Sequence, residues 1–362
     1  MSRLADLIAQ LCPDGVEYKP LSECVVLPSI PRGLKRGQYE SSGTYPIVDQ
    51  GRGQVAGYSS DETKLVKDIP GIVFGDHTRE IKYVDHFFVP GADGVKWIRA
   101  VDDVDIRYLF HSLSSLAIPS RGYNRHWNVV REMSIPVPPL EVQREIVRIL
   151  DQFTTLEAEL EAELEARQAQ YEYYREQLLS YDSIVARCSD EVKYRSLGDL
   201  IRIRNGRDYK MLSSGTVPVY GSGGVMTHVS EAIGVGPTVL IPRKGSLDNI
   251  FFVEGPFWTV DTIFYTEIGS EIEPKYLYYN LKKMRLSQMN EAAGVPSMNQ
   301  RKLNRIQIPL PSIEEQRRIA DVLDRFDALV NDISSGLPAE IAARRAQYEY
   351  YRDRLLSFPE KK

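Results

Sequence analysis

The sequence predicts an α+β protein: two similar mixed α/β domains joined by two long antiparallel α-helical (coiled-coil) spacers, arranged as a pseudo-two-fold internal repeat. Three observations lead there. A tyrosine-rich segment occurs twice, as Arg167-Gln168-Ala169-Gln170-Tyr171-Glu172-Tyr173-Tyr174-Arg175 and as Arg344-Arg345-Ala346-Gln347-Tyr348-Glu349-Tyr350-Tyr351-Arg352, and both copies run on into Leu-Leu-Ser (178–180 and 355–357). A second pair precedes them: Ile135-Pro136-Val137-Pro138 through Gln143-Arg144, and Ile308-Pro309-Leu310-Pro311 through Gln316-Arg317. The copies lie 177 and 173 residues apart, close to half of a 362-residue chain, which is the period of a duplicated unit. Third, 141–180 contains neither proline nor glycine, as a long uninterrupted helix requires.

In chain order, residues 3–11 read as a short helix. Beyond it, Cys12-Pro13-Asp14-Gly15-Val16-Glu17-Tyr18-Lys19-Pro20-Leu21 aligns with Cys188-Ser189-Asp190-Glu191-Val192-Lys193-Tyr194-Arg195-Ser196-Leu197. Helix 3–11 thus takes the place that 180–187 takes after the first spacer. With the two chain ends together, the molecule would close on itself, its domains inverted about an approximate two-fold axis. The first domain, 1–140, has short strand-like runs such as Ile72-Val73-Phe74 and Phe87-Phe88-Val89, punctuated by Gly and Pro, and one helix at 106–116. The second, 184–312, repeats the character with strands at 217–220, 239–241 and 250–253 and a helix at 275–289. Tyr45-Pro46-Ile47-Val48 matches Val217-Pro218-Val219-Tyr220 weakly.

The first spacer, 141–183, places Ile146, Leu150, Phe153, Leu160, Leu164, Tyr171, Tyr174 and Leu178 at alternating three- and four-residue steps, interrupted by Glu157 and Arg167. That is a coiled-coil seam. A helix of about 38 residues is roughly 57 Å long. The second spacer, 313–362, opens with Ser312 and Glu315 as a capping box and continues its seam through Ile319, Leu323, Phe326, Val330 and Ile333. Gly336 and Pro338 predict a break near 334–338, after which Ile341, Tyr348, Tyr351 and Leu355 resume the stripe.

Composition narrows the class. Hydrophobic residues make up 43% of the chain, enough for real cores. The net charge of −5 is uneven: 141–183 alone carries four basic and eleven acidic side chains, so the sum says little about the rest. Cys12, Cys24 and Cys188 have no metal-ligand spacing and suggest a reducing, cytoplasmic setting. No apolar run approaches the eighteen or so residues of a membrane span, and residues 1–10 lack the pattern of a signal peptide, so no membrane partner is expected.

Catalytic and metal sites are not expected. Pro13-Asp14 followed by Glu17-Tyr18-Lys19 imitates a metal-nuclease pattern. Its halves are too close to put two carboxylates around one metal, and the second copy has Lys193 for Glu17. Val137-Pro138-Pro139-Leu140 lacks the Asn or Asp and the aromatic of an amino-methyltransferase loop. Gly221-Ser222-Gly223-Gly224 lacks a phosphate-binding lysine, and His77, His86, His111, His126 and His228 have no paired metal spacing. Recognition remains. Basic loop stretches recur in both domains: 32–36, 121–128, 202–210 and 243–246, where Arg and Lys suit phosphates and Arg, Asn and Ser suit base edges.

The order of domain, Ile-Pro-x-Pro helix, domain, Ile-Pro-x-Pro helix, with the Gln-Tyr-Glu-Tyr-Tyr-Arg ends and the 12–18 motif, resembles the specificity subunit of type I restriction–modification systems. Gly294-Val295-Pro296-Ser297-Met298-Asn299-Gln300 resembles the family's loop before a spacer; Gly122-Tyr123-Asn124-Arg125-His126-Trp127-Asn128 departs from it. The resemblance implies a non-catalytic subunit whose two target-recognition domains each read half of a bipartite sequence in double-stranded DNA. The spacers would set the gap and dock two methyltransferase subunits, which restriction/translocase subunits then join. S-adenosylmethionine, ATP and Mg would sit on those partners, with no cofactor in this chain. Expected DNA contacts are Arg32, Lys35, Arg36, His77, Arg79, Arg121, Asn124 and Arg125 in the first domain, and Arg204, Asn205, Arg207, Lys210, Ser222, Arg243, Lys244 and Ser297 in the second. Partner contacts are expected on spacer faces away from the seam, at Tyr173, Arg175, Tyr350 and Arg352. The alternative is a scaffold for methyltransferase-like partners that reads no sequence.

Overall fold

The structure is a computed structural model describing residues 3–91, 94–120, 122–188, 191–290, 294–332 and 334–361. Arg121, Ser189, Asp190 and Ile333 lie outside the described residues. Two compact units divide the chain: Met1–Leu160 with Ile341–Lys362, and Glu161–Glu340. The division differs from boundaries at 140, 183 and 312. Each unit takes its own share of the spacer helices, because the seam residues pack into that unit's core.

Unit 1 begins with α1 (Arg3–Leu11). A four-stranded sheet orders Val25–Val26, Val95–Ala100, Gly71–Gly75 and Ile81–Val84; a smaller one orders Gly57–Ser59, Tyr45–Val48 and Val89–Pro90. Helix α2 (Ile106–Ser115) covers the larger sheet. Of the run 87–89, only Val89 enters a strand; Phe88 makes an isolated bridge to Val66. Unit 2 repeats the plan. Its larger sheet orders Ile201–Asn205, Ile263–Ile268, Thr238–Pro242 and Phe251–Val253, and its smaller one Gly224–Val229, Ser214–Gly221, Pro256–Thr259 and Gly234–Val235. In both small sheets the strand that begins the repeat has one antiparallel and one parallel neighbour, Ile47 facing Val89 and Val219 facing Trp258. The weak likeness of 45–48 to 217–220 was therefore a true register.

The long helix α3 (Leu140–Leu178) spans 39 residues, and α4 (Tyr181–Arg187) follows, capped by Ser180. In unit 2, α5 (Pro274–Lys283) takes the place of α2 and stops before Arg285, whose φ of 45° turns the chain into a short 3₁₀ segment, Leu286–Met289. Helices α6 (Ile313–Asn331) and α7 (Leu337–Leu355) flank the expected break. Ser312 caps α6 by accepting from Glu315 N–H at 3.4 Å. The reciprocal half of the capping box does not form; the Glu315 carboxylate turns to Arg187 at 3.0 Å and Arg318 at 3.6 Å. In the break, the Ser334 and Ser335 hydroxyls donate to Asp332 and hold its carboxyl down to about 2.

The seam holds inside each unit. In unit 1 Phe153 stacks on Tyr351 at 5.4 Å and Glu157 accepts from Arg345 at 2.7 Å, so the α3 and α7 segments run antiparallel. In unit 2 Tyr174 stacks on Phe326 at 5.4 Å and Tyr171 donates to Asp327 at 3.0 Å, the same relation between α3 and α6. Glu157 and Arg167, the two polar interruptions, are also partly shielded, Arg167 through Glu163 and Gln170. In unit 1 the chain ends pair: Val16 N–H donates to Pro359 O and Lys361 N–H to Val16 O, each at 2.9 Å.

Candidate nucleic-acid interface

In unit 1 the loops at the ends of the strands gather through backbone bonds. Leu34 N–H donates to Pro90 O (2.9 Å), Gly91 N–H to Val48 O (2.8 Å), Asp76 N–H to Gly94 O (2.7 Å) and His126 N–H to Asp76 O (2.8 Å). The Thr78 hydroxyl donates to Gln50 O at 2.6 Å. Five loops thus form one surface carrying Arg32, Lys35, Arg36, His77, Asn124 and Arg125. Lys82 stiffens it from beneath, donating to Asp49 O at 2.8 Å and Gly53 O at 2.5 Å; burial lowers its pKa, opposed by the Asp49 carboxylate.

Unit 2 assembles the corresponding loops. Arg207 N–H donates to Thr259 O (2.8 Å), Val260 N–H to Tyr220 O (3.1 Å), Arg243 N–H to Thr262 O (2.8 Å) and Met298 N–H to Arg243 O (2.9 Å). Asn249 Nδ2 donates to Ser222 O at 3.0 Å, and Lys244 makes an isolated bridge to Ser297. Arg207, Lys210, Ser222, Arg243, Lys244 and Ser297 therefore share one end of the unit, although they are spread over ninety residues of sequence. The first loop of each unit needs glycine. A Cβ on Gly33 would lie 1.9 Å from Gly91 O, and one on Gly206 2.1 Å from Val260 O.

Electrostatics sorts the expected contacts. Among the described residues Arg32, Lys35, Arg36, Arg125, Arg207, Lys210 and Lys244 are exposed and none is held in an ion pair, which leaves their charge for an anion. Arg204 is different: it grips Glu267 bidentately at 2.9 and 3.0 Å and holds that carboxyl below its usual range. Arg79, at φ 67°, donates to Ile118 O at 2.9 Å, and Asn205 Oδ1 accepts from Gln300 at 3.4 Å. These three side chains are engaged within the protein. Two expectations on the spacers are corrected. Arg175 is only 8% exposed and lies over the Tyr171 ring at 5.4 Å; Arg352 lies over Tyr348 at 5.7 Å. Their guanidinium groups pack beside the seam because the ring one turn earlier draws them onto its face. Tyr173 and Tyr350 are 60% and 59% exposed, as a docking face requires.

The sequence profile described as "Type I restriction modification DNA specificity domain" matches this chain twice, over residues 13–166 and 189–343. The chain belongs to that family. Each match covers one set of sheets and the greater part of a spacer, so the family unit agrees with the repeat seen in the structure. The chain is 33% identical to the Type I restriction enzyme EcoR124I/EcoR124II specificity subunit of Escherichia coli, over 99% of this chain and 98% of that one. It is 27% identical to a putative type I restriction enzyme specificity subunit of Haemophilus influenzae, over 95% and 96% of the two chains. The solved S subunit of a type I restriction–modification system from M. genitalium has the same fold, with a TM-score of 0.64 at 18% identity, covering 94% of this chain and 96% of that one.

Several residues that build this loop surface were missed in the sequence. Asp76, buried beneath the surface, accepts from His126 N–H at 3.0 Å and Trp127 N–H at 2.8 Å, anchoring the 122–127 loop. Lys82 was invisible because a buried lysine looks like any other. Tyr123 stood in a basic stretch whose arginines drew attention first. Lys19 of the nuclease-like string is structural: it pairs with Asp103 at 2.9 Å. Among the described residues, no helix is long and apolar enough to cross a membrane.

Proposed function

We propose that this chain is a sequence-specific DNA-binding subunit in which each unit reads one half of a bipartite target. One observation carries the reading: the same loop constellation is built twice by equivalent hydrogen bonds, while the side chains at its tips differ. A shared frame with different tips suits two readers of two different half-sites. Arg32, Lys35, Arg36 and Arg125 in unit 1, with Arg207, Lys210 and Lys244 in unit 2, would meet phosphates. Asn124, Ser222, Arg243 and Ser297 would reach base edges, with His77 supporting them from the same surface. We assign methyl transfer and cleavage to partners. Two methyltransferase subunits would dock on the spacers, where Tyr173 and Tyr350 offer equivalent exposed rings, and restriction/translocase subunits would join through them. S-adenosylmethionine, ATP and Mg would belong to those partners, and the complex would work in the cytoplasm.

Mapping methylated bases in DNA from cells that co-express this chain with its methyltransferase subunit tests the proposal. A bipartite motif with one modified base in each half is expected, and Arg243→Ala with Lys244→Ala should relax or weaken one half alone. Complex formation without sequence-specific methylation would overturn the reading in favour of a scaffold.

A further inference from the structure

The loop before each spacer is held at its far side and left open at its near side, in both units. In unit 1 His126 and Trp127 are buried, clamped by Asp76, and Trp127 packs on Phe74 with ring centroids 5.5 Å apart. In unit 2 Met298 is buried and bonded to Arg243 O, Gly245 N–H donates to Pro296 O at 3.0 Å, and Ser297 N–H donates to Asn290 Oδ1 at 3.1 Å. The bond from His126 N–H to Asp76 O matches that from Met298 N–H to Arg243 O, which sets the register of the two loops: Gly122 on Gly294, Tyr123 on Val295, Arg125 on Ser297. At the second position the side chain stands out of the protein in both units. Tyr123 is 80% exposed and Val295 69%.

Tyr123 is nonetheless ordered. Its ring lies parallel to His77 at 4.7 Å and 11°. His77 is fixed in turn: its N–H donates to Gln50 Oε1 at 3.3 Å, and its Nδ1 is sealed from solvent with no partner among the described residues. So little burial does not account for holding an aromatic ring in place by folding alone. The stack covers one ring face and the residue stays 80% exposed, on the loop that also carries Arg125. Val295 offers a smaller apolar surface beside Lys244 and Ser297. In the major groove, the apolar group a protein can read is the C5-methyl of thymine.

We propose that Tyr123 and Val295 are equivalent specificity-determining positions, each contacting a thymine methyl group in its own half-site, with His77 as the positioning residue behind Tyr123. This rests on the bipartite reading above. The test uses the chain assembled with its methyltransferase subunits and duplexes carrying its methylated motif, in which each thymine in turn is replaced by deoxyuridine, removing only the methyl. Binding should weaken on the order of tenfold at one thymine in each half, the size of a single base contact. In Tyr123→Ala, which exchanges an exposed side chain, that sensitivity should vanish in one half and persist in the other; Val295→Ala should do the converse. His77→Ala should reduce the Tyr123 effect without touching the second half. Tight, sequence-specific binding that ignores every deoxyuridine, half-sites without thymine, or sensitivity that survives in both variants overturns the inference and leaves the bipartite reading intact. Binding with no preference for the motif over unrelated DNA overturns both.

Discussion

Gln143 and Gln316 show how one side chain can fix the start of a spacer. The Gln143 amide donates to Pro138 O at 2.7 Å and Asp103 O at 2.9 Å, and its oxygen accepts from Asp105 N–H at 2.8 Å. Gln316 does the same with Pro311 O at 2.9 Å, Glu271 O at 3.1 Å and Glu273 N–H at 2.8 Å. Both are fully buried, and each ties its spacer helix to the loop that starts the unit's other helix, α2 or α5. Leucine there keeps the volume but strands buried donors and acceptors. Gln316→Leu is expected to cost about 2–4 kcal/mol. Hydrogen exchange should show lost protection in unit 2 and none in unit 1, and Gln143→Leu the reverse. The glutamine was legible in the sequence as half of a repeated motif. Two of its three partners were not, because they come from a loop some forty residues upstream; only the proline carbonyl belongs to the same motif.

At the scale of elements, an aspartate about two helical turns further along each spacer makes a second clamp. Asp151 accepts from Arg107 at 2.9 Å and faces His111 Nε2 at 3.1 Å; Asp324 pairs with Lys275 and accepts from Tyr279 at 2.5 Å. His111 also meets the Tyr348 hydroxyl through Nδ1 at 2.9 Å, so in unit 1 one ring joins α2, α3 and α7. Burial lowers the His111 pKa, against the hydrogen bond to Asp151, with Arg107 and Arg352 adding to the lowering. A histidine neutral in the folded state leaves the unfolded chain to take the proton first. Its contribution is therefore complete above an ordinary histidine pKa of ~6.5 and is lost as the pH falls through that value towards the folded one. His111→Tyr, adopting the residue type of Tyr279, should flatten the loss of α2 protection between about pH 7 and pH 5. An unchanged slope in the variant would assign the acid sensitivity to other groups. The helices themselves were readable from periodicity. Where they stop was less so: α5 ends early at a left-handed Arg285, a conformation that no residue-type preference announces.

On the scale of the whole molecule, unit 1 is assembled from two distant parts of the chain and unit 2 from one. Leu356 and Phe358 are buried in unit 1, and the Tyr18 hydroxyl donates to Phe358 O at 2.9 Å. Ending the chain after Leu355 should therefore expose the paired strands Glu17–Pro20 and Ser134–Val137 to exchange. Their counterparts in unit 2, Lys193–Ser196 and Gln307–Leu310, should keep their protection, since the equivalent segment after α3 stays in the chain. Equal loss in both units would contradict the two-unit division.

The sequence by itself determined the duplication, the spacer seams, the break before Leu337 and the family, because each is written in local pattern: period, heptad step, cap and motif. Tertiary structure alone decided which basic side chains are available. Arg204 and Arg32 look alike in a string of letters, yet one is neutralised by Glu267 from a neighbouring strand and the other is not. It also decided that Arg175 and Arg352 turn inward, and that Tyr123 rests on His77. Those outcomes depend on which partner arrives from elsewhere in the chain, and no single-sequence pattern records that arrival.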